Sequence, residues 1–408
     1  MFFGGRSGST AMQHGTGKLT GRALAASLLL WAAQLAAEDA GAAPAQAAES
    51  APVAPPAREA ADDGDDVPAT RALTSPRLAS RAPDPLFADQ RFMELRLEGP
   101  IYALMRDNRP DPEELDATMS WRTPDGETGS LPIEYRARGK SRRRPEKCDF
   151  PPIRLDVPKS RADGTIFEHQ DKLKLVTHCK RLGSGARDQH VWVWLEYYAY
   201  RVLNTLTDYS YRVRPLRVTY ADERGREHEH PAFLIEHDER LAHRLGLEES
   251  DRAVMQRDDL VPEITGVMEL FQFMLGNTDF SFIRSGDDGP CCHNAVQFTD
   301  GEGRFVPIPY DFDQIGLIDK PDALPALGLG IRDVTDRRYR GLCREPHHLE
   351  EAIALFREKR GEMERILAEE IDGLPDRRRR RAERFLGEFW KVLDDPRRVE
   401  REIVGYCR

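Results

Sequence analysis

From residue 91 to 179 the apolar residues recur at every second position and never for long. The runs "RFMELRLEG", "ATMSWRT", "LPIEYRARG", "PPIRLDV" and "KLKLVTHC" are separated by Pro, Gly and Asp. A period of two sends side chains to alternate faces of an extended chain, so each run buries one face only and several must share a core. This stretch therefore predicts an antiparallel sheet. "HVWVWLEYYAYRVLNTL" breaks the pattern, with Val191, Trp194, Leu195, Tyr198, Val202 and Leu206 at helical spacing; the strand candidates "YRVRPLRVTYAD" and "HPAFLIEH" follow. Beyond residue 260 "EITGVMELFQFML" sets Ile264, Val267, Met268, Phe271 and Met274 on one helical face, and from about residue 346 the chain reads helical and heavily charged. The expectation is an α+β fold in two lobes, residues 86–260 holding a sheet with one helix and residues 261–408 mostly helical.

The first 85 residues read differently. Lys18 and Arg22 precede the apolar run Ala23 to Ala37, which is short of the roughly 20 residues of a spanning helix, so residues 1–37 predict a cleaved secretory signal. Residues 38–85 are rich in Ala, Pro, Asp and Glu, poor in aromatics, and predict an unfolded linker. Export to a secreted or periplasmic location follows as an expectation. With a formal net charge of -10, the chain is not expected to bind nucleic acid in general. Its six cysteines suit an oxidising compartment. If "PPIRLDV" and "KLKLVTHC" pair across their turn with Val157 opposite Gln170, Cys148 falls opposite Cys179, within disulfide reach. Cys343 and Cys407, both in the C-terminal helical part, are a second candidate pair.

The junction between the two halves gathers polar groups. "GNTDFSFIRSGDDGPCCHNAV" places Asp279 and Asn294 after the apolar helical run, and "VPIPYDFDQIG" places Asp311 and Asp313 after an apolar strand. Phosphoryl transfer from a nucleotide asks little covalent chemistry of a protein: a divalent metal on the phosphates, and a carboxylate that orients the acceptor hydroxyl. Asp and Asn oxygens suit that metal. They are also common turn formers, so no one of these residues carries the reading alone.

The order "GNTDF…HN…PIPYDFD" resembles the spore-coat protein H (CotH) kinase family, exported or coat-associated atypical protein kinases. "RARGKSRRRPEKCDFPPIRLDV" resembles that family's basic segment at the nucleotide, and "FLIEH" the strand ending in Glu that leads into the second lobe. The resemblance covers roughly residues 90 to 320 and implies a kinase-like two-lobe fold. It also implies ATP with Mg2+ or Mn2+ as cofactors, and a protein substrate with a Ser or Thr acceptor. Carried over, Asp279 would orient the acceptor, Asn294 and Asp311 would hold metal with Asp313 secondary, and Arg138 and Arg154 would touch nucleotide phosphates. Lys140 stands where the family has Asn, and the segment between Asp279 and Asn294 is longer than usual. An inactive, kinase-like binding scaffold is therefore the alternative.

Other features weigh less. Glu196 on the predicted helix could pair with a phosphate-binding cation, with Lys172 or Lys174 as candidates, although alternating lysines on a strand more often face solvent. Arg377 to Arg381 read as a solvated helix face. His293 with Cys291 and Cys292 lacks the spacing of a zinc site.

Overall fold

The computed structural model describes residues 81–139, 141–180, 182, 189–285, 291–343, 346–370 and 374–408. The expected signal (1–37), the linker up to residue 80, Lys140 and part of the 280–293 loop lie outside the described residues.

After a helical turn, α1 (Pro85–Ala88), the chain builds β1 (Met93–Glu98), α2 (Ile101–Arg106), β2 (Leu115–Arg122), β3 (Thr128–Ala137), β4 (Ile153–Asp156), α3 (Lys159–Ala162) and β5 (Lys172–Val176). A long helix, α4 (His190–Leu206), precedes β6 (Val213–Ala221) and β7 (Glu227–Ile235). The period-two runs do become strands. Their inward residues, among them Leu95, Met119, Ile133, Leu155, Leu173, Val218 and Leu234, form one buried core. The expected open antiparallel sheet of a kinase-like two-lobe fold is nonetheless incorrect. The strands close into a seven-stranded barrel in the order β1-β2-β3-β4-β5-β7-β6. Closure comes from β1, which pairs antiparallel with β2 and parallel with β6, Met93 opposite Leu216. A closed sheet leaves no edge strand to attract another chain.

The rest of the chain forms α5 (Asp238–Leu245), a short β8 (Glu248–Glu249), α6 (Pro262–Leu275), the hairpin β9 (Ala295–Thr299) and β10 (Phe305–Pro309), then α7 (Pro346–Arg365), α8 (Asp376–Asp394) and α9 (Pro396–Glu402). Helix α4 is buried almost all round, as expected of a helix apolar on every face. On one side it meets Val176, Val213, Phe233 and Ile235 from the barrel, and on the other it shares a second core with α6, α7 and α8. The described residues lie in one compact unit. Among them no helix is long and apolar enough to cross a membrane.

The Cys148–Cys179 and Cys343–Cys407 disulfides both form, and Cys291 is joined to Cys292. The ladder behind the first inference is corrected by one residue: Ile153 faces Leu175, and the N–H of Val157 donates to the carbonyl of Asp171. Asp149 therefore stands opposite Cys179, donating its N–H to that residue's carbonyl. Cys179 leaves the ladder with φ +64° and still comes within 4.8 Å, Cα to Cα, of Cys148.

The Glu of "FLIEH" has a structural role. Glu236 takes a two-pronged salt bridge from Arg244, 2.9 Å at each oxygen, with both side chains at most 3% exposed. Arg244 also donates to the carbonyls of Asp208 and Ser210, tying α5 to the turn before β6. Removing one partner strands the other charge away from water. Arg244→Met is expected to cost about 3–5 kcal/mol in urea unfolding, and adding Glu236→Gln should recover part of that loss.

Candidate active site

Helix α6 starts with Pro262 in its first turn and ends at Gly276, whose φ of +65° takes the left-handed C-cap conformation. A side chain there would also meet the Phe385 ring at 2.9 Å. The chain turns at once. Buried Asn277 donates from its amide to Gln272 and accepts the N–H of Asp279 at 2.8 Å, so this Asn makes the turn that presents Asp279.

Asp279 is then clamped from the start of β9. His293 Nε2 lies 2.8 Å from Oδ1, and Asn294 Nδ2 donates to Oδ2 at 3.1 Å and to the Asp279 carbonyl at 2.6 Å. The hydrogen bond from His293 holds the Asp279 carboxyl below its ordinary range, outweighing burial. Arg340 braces the same loop, donating to the carbonyls of Thr278 and Phe280 on either side of Asp279.

Asn294, with φ +50°, accepts the N–H of Tyr310 through its carbonyl, and Ala295 faces Pro309 in the hairpin. The hairpin thereby delivers Asp311 next to Asn294. Asp311 has φ +60°, donates its N–H to the hydroxyl of buried Tyr200 on α4, and keeps an exposed side chain. Asp313 points the other way. It is 5% exposed, accepts from Lys320 Nζ at 3.0 Å and pairs with Arg142.

Glu196 lies close by on α4. Burial pushes its carboxyl up, opposed chiefly by the charge of Lys320; burial likewise pushes the Lys320 ammonium down. Lys320 also sits 5.5 Å from the centre of the Trp192 ring. The helix Glu anticipated as a cation partner thus feels the charge of Lys320, whose ion pair is with Asp313, while Lys174 pairs with Asp238 at 3.0 Å. No local pattern in "LIDKPDA" sets Lys320 apart from a surface lysine, and only burial identifies it.

The predicted phosphate contacts come from the barrel. Arg154 on β4 stands directly between Arg136 on β3 and Lys174 on β5, a row of three like charges on one outer face. Directly opposed like charges destabilise a sheet, and here carboxylates offset the row at both ends, Glu114 pairing with Arg136 at 2.9 Å and Asp238 with Lys174 at 3.0 Å. Its Lys174 end lies 5.6 Å from the ring centre of Tyr310, the residue before Asp311. Arg138, at the end of β3, donates its N–H to the Pro152 carbonyl, and its charge acts on Glu196, Tyr200 and Tyr310. Asp279, Asn294 and Asp311 thus converge at one end of the hairpin beside a cationic barrel face, whereas Asp313 is spent on an internal ion pair.

Among the described residues no three His, Cys, Asp or Glu side chains converge to cage a metal. The Asp311 carboxylate and the Asn294 amide oxygen, partly open to water, are instead donors that suit a magnesium ion sharing its shell with waters and phosphates. No protein-family model matches the chain, and no curated protein matches it.

Glu269 on α6 fixes the segment that carries Arg340. Its carboxyl accepts the N–H of Leu342 at 2.7 Å and the Tyr339 hydroxyl at 3.4 Å, and burial pushes its pKa up to about 7. The folded value lies above the unfolded one, so its contribution is full below about pH 4.5 and is lost as pH rises through 7. Urea unfolding from pH 4.5 to 7.5 should show the wild type losing on the order of 3 kcal/mol more than Glu269→Gln.

Proposed function

We propose that this chain transfers the terminal phosphoryl group of ATP to a Ser or Thr hydroxyl of a protein, as the resemblance to the spore-coat protein H (CotH) kinase family implies. One observation carries the reading: the Asp279 carboxylate, gripped by His293 and Asn294, lies at the end of the hairpin that presents Asp311, and Lys174 at the end of the barrel's cationic row lies 5.6 Å from the ring centre of Tyr310, the residue before Asp311. The reading rests on this site and not on the overall fold, which is a closed barrel with helices.

Asp279 orients the incoming hydroxyl and accepts its proton. Its lowered pKa keeps it ionised. A weak base suffices, because in a loose phosphoryl-transfer transition state the acceptor has formed little bond before its proton leaves. Arg138 and Arg154 hold phosphate oxygens, with guanidinium forks suited to that geometry. Asp311 and the amide oxygen of Asn294 would hold Mg2+ or Mn2+, with Asp313 behind them and already committed to Lys320 and Arg142. When bound, such an ion neutralises charge on the phosphates. Lys320 and Arg142 on Asp313, with the Tyr200 hydroxyl on the N–H of Asp311, fix the turn that carries Asp311. Entry of an anion would favour the charged form of Lys320, so nucleotide binding and its protonation are coupled.

Calorimetric titration with ATP and divalent metal, paired with a transfer assay, separates the roles. Asp311→Ala should lose both metal-dependent nucleotide binding and transfer. Asp279→Ala should bind within about threefold of wild type yet lose about 10²–10⁴ in turnover, since its contribution belongs to the transition state. Asn294→Ala should fall between them. Equal loss of binding in the two Asp variants would show the roles misassigned. No heat with either metal would leave the fold as a binding module.

A further inference from the structure

The site has a rim that the chemistry above does not use. Among the described residues the two most exposed large apolar side chains are Leu324, 77% exposed, and Leu327, 98% exposed, three residues apart on one segment. That segment is pinned beside the site: the N–H of Ala326 donates to Thr278 Oγ1 at 3.0 Å, and Thr278 is the neighbour of Asp279. Single exposed leucines are ordinary on a protein surface. Two on a strap tied next to Asp279 make an apolar rim beside that carboxylate.

The same strap leads to a run of positive charge. Asp319, just before Lys320, pairs with Arg381 on α8. Helix α8 buries Ala382, Leu386, Phe389 and Leu393, and at 100° per residue Arg377, Arg380, Arg381 and Arg384 fall on the opposite, exposed side. Asp376 and Glu383 lie among them, but Asp376 serves Arg379 and Arg380, Glu383 serves Arg379, and no ion pair with a described residue meets Arg377 or Arg384. Over a chain of net charge -10 this is a local reversal of sign. From Arg377 to Arg384 the stripe spans about 10 Å, the length of about three residues of extended chain.

We propose that the 324–327 strap and the α8 stripe form the docking surface for the acceptor polypeptide, a segment with an apolar residue near its hydroxyl and a short run of Asp or Glu beyond it. The apolar residue covers Leu324 and Leu327, while the acidic run pairs with Arg377 and Arg384, which gives orientation and speeds encounter. This rests on Asp279 being the group that faces the acceptor.

The probe is a fluorescein-labelled peptide with one serine, two flanking leucines and four glutamates, followed by anisotropy at low salt and compared with its glutamine counterpart. The glutamate form should bind the wild-type chain at least tenfold tighter, and Arg377→Glu/Arg384→Glu should erase that advantage. Leu324→Ser/Leu327→Ser should weaken both peptides at least fivefold. All four positions are exposed, so the variants keep the fold. Equal binding of the two peptides, or unchanged binding by both variants, overturns the proposal. So does a labelled DNA oligonucleotide that binds as tightly as the acidic peptide with the same arginine dependence, because the stripe would then be a general polyanion surface. The measurement needs no nucleotide. Intact peptide binding with no phosphoryl transfer counts against the transfer reading alone.

Discussion

Burial of Lys320 beside Glu196 and Asp313 is the constraint on which the geometry of the site hangs. Taking ionised groups out of water costs several kcal/mol each, and their attraction offsets it only when the partners are held in place. Here the Asp-Phe-Asp turn brings Asp313, which pairs with both Lys320 and Arg142 from the loop after β3, and the charge of Glu196 on α4 acts on Lys320. Asp313 is thereby held from two sides. Asp311, two residues before Asp313, inherits that rigidity through its backbone while its own carboxylate stays exposed.

The barrel and the hairpin divide the remaining work. Barrel strands fill their interior with aliphatic and aromatic side chains, and their outer face holds Arg136, Arg154 and Lys174 in one row whose ends pair with Glu114 and Asp238. The hairpin and the end of α6 supply the acids instead. Asn294 and Asp311 sit in the left-handed backbone region, which Asn and Asp tolerate better than other residues with a side chain, and the hydrogen bonds from Tyr310 to Asn294 and from Asp311 to Tyr200 hold them there. Lys174, at the end of the barrel row, comes within 5.6 Å of the ring centre of Tyr310, so the basic barrel face and the acidic end of the hairpin are neighbours.

Local patterns in the chain were enough to place the strands and the helices α4 and α6, because periods of two and 3.6 report which face of a short segment is buried. They also brought out Asp279, Asn294 and Asp311, since those residues end apolar runs, and the cysteine pairs 148–179 and 343–407. They did not show the barrel. Closure depends on β1 lying parallel to β6, with Met93 opposite Leu216, and alternation is the same whether a strand's neighbour is near in sequence or far. The register between β4 and β5 slipped by one residue for a related reason: the turn between them contains α3, whose geometry no residue count across the turn reveals.

What the sequence determined by itself is therefore the alternation of faces, the order of the polar groups and the oxidised cysteines. The tertiary structure decided which groups are charged and available. Asp311 and Asp313 are chemically identical and two residues apart, yet one stays exposed and the other is consumed by Lys320 and Arg142. Lys320 and Lys174 likewise differ only in their surroundings. Solvation and the distance to a partner set the ionisation of a side chain, and both depend on residues far away along the chain.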